Sequence, residues 1–158
     1  MSDTLHFRRI RPQEGELYAR FVHDFYASDG VDHPIPAEYI QRAFAEICRG
    51  DDYLICYILE ENGDPAGYAL LAKMYAQEAG GMAIWLDEFY LDPAFRGRGI
   101  GAAFLQWLRQ EWEPQVARFR LEVVPSHDRV KAMYARAGFL KMPYDQMVLE
   151  TPLERENS

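Results

Sequence analysis

The chain contains few residues suited to redox or metal chemistry. Its only cysteines, Cys48 and Cys56, lie eight positions apart, and neither belongs to a paired metal-binding or redox motif. The four histidines also lack the spacing of metal ligands; they are His6, His23, His33 and His127. We therefore expect no bound metal and a reducing, cytoplasmic environment.

Long apolar runs and a surplus of positive charge are also missing. No stretch approaches the roughly 18 apolar residues of a membrane span, and the N-terminus MSDTLHFRRIRP has no long apolar core of the signal-peptide type. There are 17 Lys and Arg against 25 Asp and Glu, a formal net charge of −8. This balance argues against nonspecific binding to nucleic acid or to an anionic membrane, and it is compatible with a cationic partner.

The sequence does contain enough apolar residues for one folded domain. It has 158 residues, of which 49% are hydrophobic and 14% are aromatic, and this is sufficient for a single core. Apolar periodicity and turn residues predict the order β-α-α-β-β-β-α-β-α-β, an α/β or α+β arrangement. The predicted strands are 5–10, 53–60, 66–75, 82–91, 118–124 and 144–150, and the predicted helices are 14–27, 37–48, a run ending near 112, and 126–137.

The most informative stretch is FRGRGIGAAFLQWL, residues 95–108, in which three glycines precede a helix-forming run. Each glycine lowers helix propensity by roughly 1 kcal/mol relative to alanine, so their position at a helix start indicates a need for bare backbone. A glycine-rich turn between a strand and a helix presents unpaired N–H groups and the positive end of the helix dipole, which together bind phosphate. Arg96 and Arg98 can add charge-assisted contacts. The alternative is a tight turn with two solvated arginines.

The spacing within this stretch excludes two common phosphate-binding loops. A Walker loop needs Gly-Lys followed by Ser or Thr, and a dinucleotide fingerprint needs G-x-G-x-x-G early in a βαβ unit; neither is present. Arg96-x-x-Gly99-x-Gly101 instead resembles the pyrophosphate loop of the GNAT superfamily of N-acetyltransferases. The resemblance extends to the preceding strand, WLDEFYLDPAFRGRGIG, and to RVKAMYARAGF, whose Tyr134 is followed by Gly-Phe as in that family. One departure is His127, because the family often has Asn seven residues before the tyrosine; His127 either replaces it or is a loop or helix-capping residue.

The resemblance implies a single GNAT-like domain over residues 5–150, followed by a C-terminal tail at 151–158. The implied fold is a central mixed, mostly antiparallel twisted sheet of 6–7 strands flanked by about four helices. It also implies that acetyl coenzyme A is bound where the fourth and fifth strands splay apart. The residues implied to contact this co-substrate are Phe89, Tyr90 and Leu91 along the pantetheine arm, and Arg96, Gly97, Arg98, Gly99, Ile100, Gly101 and Ala102 at the pyrophosphate.

Three side chains are candidates for catalysis of acetyl transfer to an amine. Tyr134 matches the family position that commonly donates a proton to the leaving thiolate, although a buried structural tyrosine is the alternative. Asp87 and Glu88 lie just before the co-substrate contacts, where a carboxylate can accept the amine's proton directly or through water. Strand alternation predicts Trp85, Asp87 and Phe89 on one face and Glu88 on the other. Asp87 aligns with a position that is often a glutamate base in relatives, and either acid is otherwise a partner for an arginine or a loop cap.

The resemblance places the acceptor beside the two N-terminal helices and their loop. That region contains Phe21, Asp24, Phe25, Tyr26, Asp29, Asp32 and His33. Acidic and aromatic groups together suit a cationic amine, so a polyamine-like or aminoglycoside-like acceptor is one expectation, and an amino acid or a protein N-terminus is equally open. A noncatalytic acyl-coenzyme A binding module and, more remotely, a nucleotide-binding domain of another fold are the alternatives. Apolar residues such as Met147 and Leu149 also suggest a homodimer.

Overall fold

Helices and strands form close to the predicted boundaries over most of the chain. The computed structural model describes residues 4–28 and 33–153. Short 3₁₀ turns occur at Gln77–Ala79 and Pro93–Phe95. In chain order the main elements are β1 (Leu5–Arg9), α1 (Gly15–Tyr26), α2 (Ala37–Arg49), β2 (Leu54–Glu61), β3 (Asp64–Ala76), β4 (Gly81–Leu91), α3 (Ile100–Trp112), β5 (Arg118–Leu121) and α4 (Asp128–Arg136).

The strands form one mixed sheet in the order β1-β2-β3-β4-β5. The first four strands pair antiparallel with their neighbours, and β5 runs parallel to β4. The pairing of β4 with β5 ends at Leu86 and Leu121, whereas β4 continues to Leu91. The predicted splay between the fourth and fifth strands is therefore confirmed, and it leaves residues 87–91 of β4 without a partner on that side.

The number of strands differs from the expected 6–7, because the structure has five strands among the residues it describes. The predicted last strand at 144–150 does not form. Its apolar side chains resemble a half-buried strand in sequence, but Met147 is 97% exposed and Val148 81% exposed. A short apolar run becomes a strand only when another strand and a core surface receive it, and this run pairs with no strand among the described residues.

A β-bulge interrupts the pairing of β3 with β4 at Asp87. Leu86 and Glu88, on either side of it, pair with consecutive residues of β3, so Asp87 has no partner there. The extra residue shifts the alternation of side chains along β4. Trp85 therefore lies on the face of Glu88 and not on the face of Phe89, and the predicted alternation is wrong for Trp85.

A hydrophobic core fills each face of the sheet. On one face, α3 and α4 contribute apolar side chains that include Phe104 and Tyr134. On the other face, α1 and α2 pack against β2, β3 and β4, with Phe21 of α1 fully buried and stacked 6.1 Å from Tyr68. The unpaired end of β4 contributes to both cores, because Phe89 and Leu91 pack against the first and Tyr90 belongs to the second.

Candidate active site

The glycine stretch forms a turn that leads from β4 into α3. The 3₁₀ turn at Pro93–Phe95 is followed by Gly97 and Gly99, both with φ of +79°. This left-handed conformation is costly for residues with a Cβ atom. The N–H groups of residues 97–102 have no acceptor among the residues that the structure describes, whereas the next one, from Ala103, donates to the Gly99 carbonyl at 3.0 Å. Six successive free N–H groups at a helix N-terminus suit a phosphate ligand.

Gly101 has a different role from the two glycines before it. It is buried in the first turn of α3, and a Cβ atom there would lie 3.0 Å from the Met133 Sδ of α4 and 3.8 Å from Leu91. Its missing side chain lets α4 approach both α3 and the end of β4. A side chain at Gly101 would thus point into the protein toward Met133 and not toward a ligand at the loop.

The two arginines of the loop have different partners. The Arg96 Nε donates to the Leu91 carbonyl at 2.9 Å, and its guanidinium lies 5.7 Å from the Tyr90 ring centre. Arg98 forms an ion pair with Glu61 of β2. No carboxylate pairs with Arg96 among the described residues, so its positive charge is available to an anion at the loop.

Tyr134 of α4 is largely buried, with 9% of its surface exposed. Its ring packs against Phe139, with 5.8 Å between the ring centres. Burial raises the pKa of Tyr134 to about 12, so the hydroxyl stays protonated at neutral pH. None of the residues that the structure describes forms a hydrogen bond with this hydroxyl, which leaves it able to donate to a ligand.

The carboxylate of Asp87 lies at the bulge, beside the splay. Its side chain reaches solvent. Partial burial, followed by the negative charge of Glu122 after β5, nevertheless raises the pKa of Asp87 above its ordinary value. An accessible carboxylate with a raised pKa is a better proton acceptor than an ordinary aspartate.

Glu88 is enclosed, with only 8% of its surface exposed. The Tyr26 hydroxyl donates to its Oε2 at 2.5 Å and the Tyr68 hydroxyl to its Oε1 at 2.8 Å. Burial raises the pKa of Glu88, and the two hydrogen bonds oppose this increase. Neither Lys nor Arg forms an ion pair with it among the described residues. The expectation that it pairs with a neighbouring arginine is therefore wrong.

Sequence reasoning missed the contribution of Tyr68, which lies on β3. A buried tyrosine hydroxyl normally has a hydrogen-bond partner, so its place in an apolar strand was a usable signal. The identity of the partner depends on strand register, because the pairing of Tyr68 with Tyr90 and of Leu70 with Glu88 places Glu88 on the face of Tyr68.

Only some of the remaining candidate residues contact one another. Phe25 contacts the Tyr26 and Tyr90 rings, with 5.1 and 6.5 Å between centres. Asp24 is half-buried, whereas His33 is exposed. His127 precedes the first residue of α4 and makes no capping hydrogen bond through its side chain. Asp29 and Asp32 lie outside the described residues.

The described residues contain neither a cluster of metal ligands nor a membrane-spanning helix. Over residues 4–28 and 33–153, no three His, Cys, Asp or Glu side chains are grouped as a metal site would require. Among the same residues, no helix has the length and apolar character needed to span a bilayer.

The amino-acid sequence also matches a known protein family. The sequence model of the Acetyltransferase (GNAT) family matches residues 15–139. Because the match covers most of the chain, the protein belongs to this family. It is an acyltransferase that uses acetyl coenzyme A as co-substrate.

Solved structures agree with this assignment at the level of the fold. An integron cassette protein from the mobile metagenome of Cole Harbour Salt Marsh is 25% identical, with a TM-score of 0.73, covering 95% of this chain and 91% of the other. A predicted acetyltransferase from Clostridium acetobutylicum, solved with acetyl-CoA, is 18% identical, with a TM-score of 0.75 and coverages of 92% and 96%. The aminoglycoside N-acetyltransferase AAC(6')-Iy, solved with CoA, is 15% identical, with a TM-score of 0.72 and coverages of 92% and 94%. No curated protein matches the chain.

Proposed function

We propose that this acyltransferase acetylates a primary amine by direct attack of the amine on acetyl coenzyme A, with both substrates bound together. The proposal rests on one observation: an unpaired strand edge and a set of free N–H groups follow one another along the chain. The unpaired side of β4 at residues 87–91 leads directly to the free N–H groups of residues 97–102. An extended amide-rich arm can pair with such a strand while its pyrophosphate binds at the helix N-terminus.

The residues present fit the co-substrate at both ends. Phe89, Tyr90 and Leu91 offer main-chain groups to the pantetheine arm. Gly97 to Ala102 offer N–H groups to the pyrophosphate, and Arg96 supplies a positive charge without a carboxylate partner among the described residues. When bound, acetyl coenzyme A supplies the activated acetyl group; the rest of the chemistry falls to side chains at the splay.

Asp87 is the proposed base. A neutral amine is needed for attack, whereas an alkyl ammonium has a pKa near about 10.4. The Asp87 carboxylate is accessible and has a raised pKa, and a bridging water compensates for its short side chain. Through this water Asp87 first removes the extra proton of the ammonium and passes it to solvent, and it then takes the second proton from nitrogen as the new C–N bond forms.

Tyr134 is the proposed acid. As the C–S bond breaks, its hydroxyl donates a hydrogen bond or a proton to the departing sulfur. The raised pKa of Tyr134 keeps the proton on the hydroxyl until that step. The proton balance closes when Tyr134 is reprotonated from solvent and Asp87 releases the amine's proton.

Glu88 is proposed to recognise the acceptor's positive charge and not to abstract the proton. Two tyrosine donors already hold its oxygens, and no cation among the described residues balances it. With Asp87 adjacent and Phe25 and Tyr26 nearby, the site favours an amine that carries positive charge. Polyamine-like and aminoglycoside-like acceptors fit this description; an amino acid or a protein N-terminus is the other possibility to be tested.

A thiol-release assay with acetyl coenzyme A and a broad amine panel tests the proposal. We expect release with cationic primary amines and a large loss in Asp87→Asn, with Asp145→Asn as the matched control at an exposed acid. Calorimetry should give equal coenzyme A affinity for all three proteins. Tight binding of coenzyme A without thiol release for any amine would favour the noncatalytic binding module.

A further inference from the structure

A pocket of about 370 Å³ lies apart from the splay, near the C-terminal end of α3. Its lining comes from β1, β2, β3 and the second half of α3, and it includes Arg9, Tyr57, Lys73 and Trp112. Trp112 lies about 18 Å along α3 from Ile100, the first residue of the helix after the glycine turn. A ligand in this pocket would therefore not overlap a co-substrate bound at the turn and the splay.

Aromatic side chains form the floor of the pocket. Tyr57 and Trp112 are buried, and the Trp112 indole Nε1 donates to the Tyr57 hydroxyl at 3.1 Å. The Trp107 ring stands edge-on to the Tyr57 ring, with 5.0 Å between centres, and is only half-buried. These contacts hold the rings in place and leave the Trp107 ring partly open to a flat apolar group.

Two cations lie over this floor. The Arg9 guanidinium is 5.4 Å from the centre of the Tyr57 ring, and the Lys73 Nζ is 5.5 Å from that of Trp112. The Asp51 Oδ2 is 3.7 Å from the Arg9 Nη2 and 4.0 Å from the Lys73 Nζ, which is too far for a hydrogen bond. Among the described residues, none accepts a hydrogen bond from either cation. Both can therefore donate to an anion within the pocket.

The other charges of the lining favour a carboxylate over a doubly charged anion. Asp51 and Glu111 balance the two cations, and Arg8 is already paired with Glu14 at 2.8 Å. The lining thus has no surplus positive charge for a second negative charge on the ligand. A carboxylate also matches the planar guanidinium of Arg9, which can hold it through two parallel hydrogen bonds.

We propose that this pocket is a second binding site, for a small organic acid with one carboxylate and a flat apolar group. The carboxylate binds to Arg9 and Lys73, and the apolar group lies against Trp107. The volume is larger than an inorganic anion needs, and it lies in the range of about 300 to 1,000 Å³ that is usual for small-molecule pockets. The proposal does not depend on which amine accepts the acetyl group.

Titration with phenylacetate tests the proposal, with the NMR signals of the Trp107 and Trp112 indole N–H groups as the readout. We expect saturable shifts with phenylacetate. Three matched compounds each change one feature: 2-phenylethanol lacks the carboxylate, acetate lacks the ring, and phenyl phosphate is doubly charged above neutral pH. Each should bind more weakly by about tenfold or more.

Variants of the lining should change the affinity in opposite directions. Arg9→Gln and Lys73→Met should each weaken phenylacetate binding by about tenfold, because each removes a charged donor. Asp51→Asn should strengthen binding, because it removes the carboxylate that competes for both cations, and a folding defect cannot produce this gain. Arg109→Gln is the matched control and should bind as the wild type does, because Arg109 is 63% exposed on α3 and pairs with Glu113 outside the pocket.

Coenzyme A separates this pocket from the splay. Saturating coenzyme A should leave the affinity for phenylacetate unchanged, whereas displacement of phenylacetate would place the probe at the splay. Absence of saturable binding up to millimolar concentrations would show that the two cations only cover the rings beneath them, as would unchanged binding in both Arg9→Gln and Lys73→Met. Each of these results overturns the inference, and none of them bears on acetyl transfer.

Discussion

At the scale of single residues, the Tyr134 hydroxyl is the group whose removal is easiest to interpret. Tyr134→Phe keeps the ring that packs against Phe139 and deletes only the donor. A positioned acid contributes about 10²- to 10⁴-fold to rate, and a thiol leaves tolerably as thiolate, so we expect a loss near the lower end of this range. Single-turnover kinetics measure it, and coenzyme A affinity should stay constant.

Tyr144→Phe is the control for that experiment, because Tyr144 is 63% exposed and lies outside the splay. Equal single-turnover rates for the wild type and both variants would show that Tyr134 contributes to packing and not to the chemical step.

Asp87 should control the acidic side of the pH–rate profile. The base works only when deprotonated, so the rate of the chemical step rises as the pH passes upward through the pKa of Asp87. Because burial and Glu122 raise that pKa, the rise should occur at a higher pH than for an ordinary aspartate. Asp87→Asn should remove it and leave a slower step; a profile with the same acidic limb in Asp87→Asn would assign the base to another group.

The titration of Glu88 should make the folded protein less stable as the pH rises. Its pKa is raised in the folded state, so the folded protein holds its proton over a pH range in which the unfolded chain has lost it. The free energy of unfolding therefore falls with increasing pH through that range. Glu88→Gln has no titrating proton at this position. Urea unfolding should therefore show that the stability of Glu88→Gln, relative to that of the wild type, increases from acidic to neutral pH. A stability difference independent of pH would contradict this reading of Glu88.

At the scale of elements, the turn between β4 and α3 is the proposed phosphate site. In Gly99→Glu, a negative side chain would lie among the free N–H groups, and we expect coenzyme A binding to be lost. Gly63→Glu is a close control, because Gly63 also has a positive φ and open space around its Cβ position but lies in the β2–β3 hairpin. Calorimetry on both folded variants measures their affinity for coenzyme A. Wild-type affinity in Gly99→Glu would show that this turn does not bind the phosphates.

At the scale of the whole molecule, the net charge of −8 should draw cationic acceptors to the protein. Long-range attraction is screened by salt, with a Debye length of about 10 Å at 0.1 M. We expect kcat/KM for a cationic amine to fall as ionic strength increases, more steeply than for a zwitterionic amine. Steady-state assays across a salt series measure this, and an equal response of both acceptors would show that charge does not select the substrate.

Local sequence patterns were sufficient to predict most of the elements and the chemistry of the glycine stretch. Periodicity located α1, α2 and α3, because the spacing of buried residues is local information. The motif around Arg96, Gly99 and Gly101 indicated a phosphate loop for the same reason, since the N–H groups it exposes belong to consecutive residues. The splay was expected only from the family resemblance, and strand pairing confirms it.

The partners of these residues depend on tertiary contacts that local patterns do not contain. The pairing of β3 with β4 and the packing of α1 place Glu88 between Tyr26 and Tyr68, which lie 62 and 20 positions away in the sequence. The packing of Met133 makes Gly101 an interior position. Residues 144–150 look like a strand in sequence but pair with no strand among the described residues. Such outcomes depend on register and on contacts between distant segments, and local propensity contains no information about either.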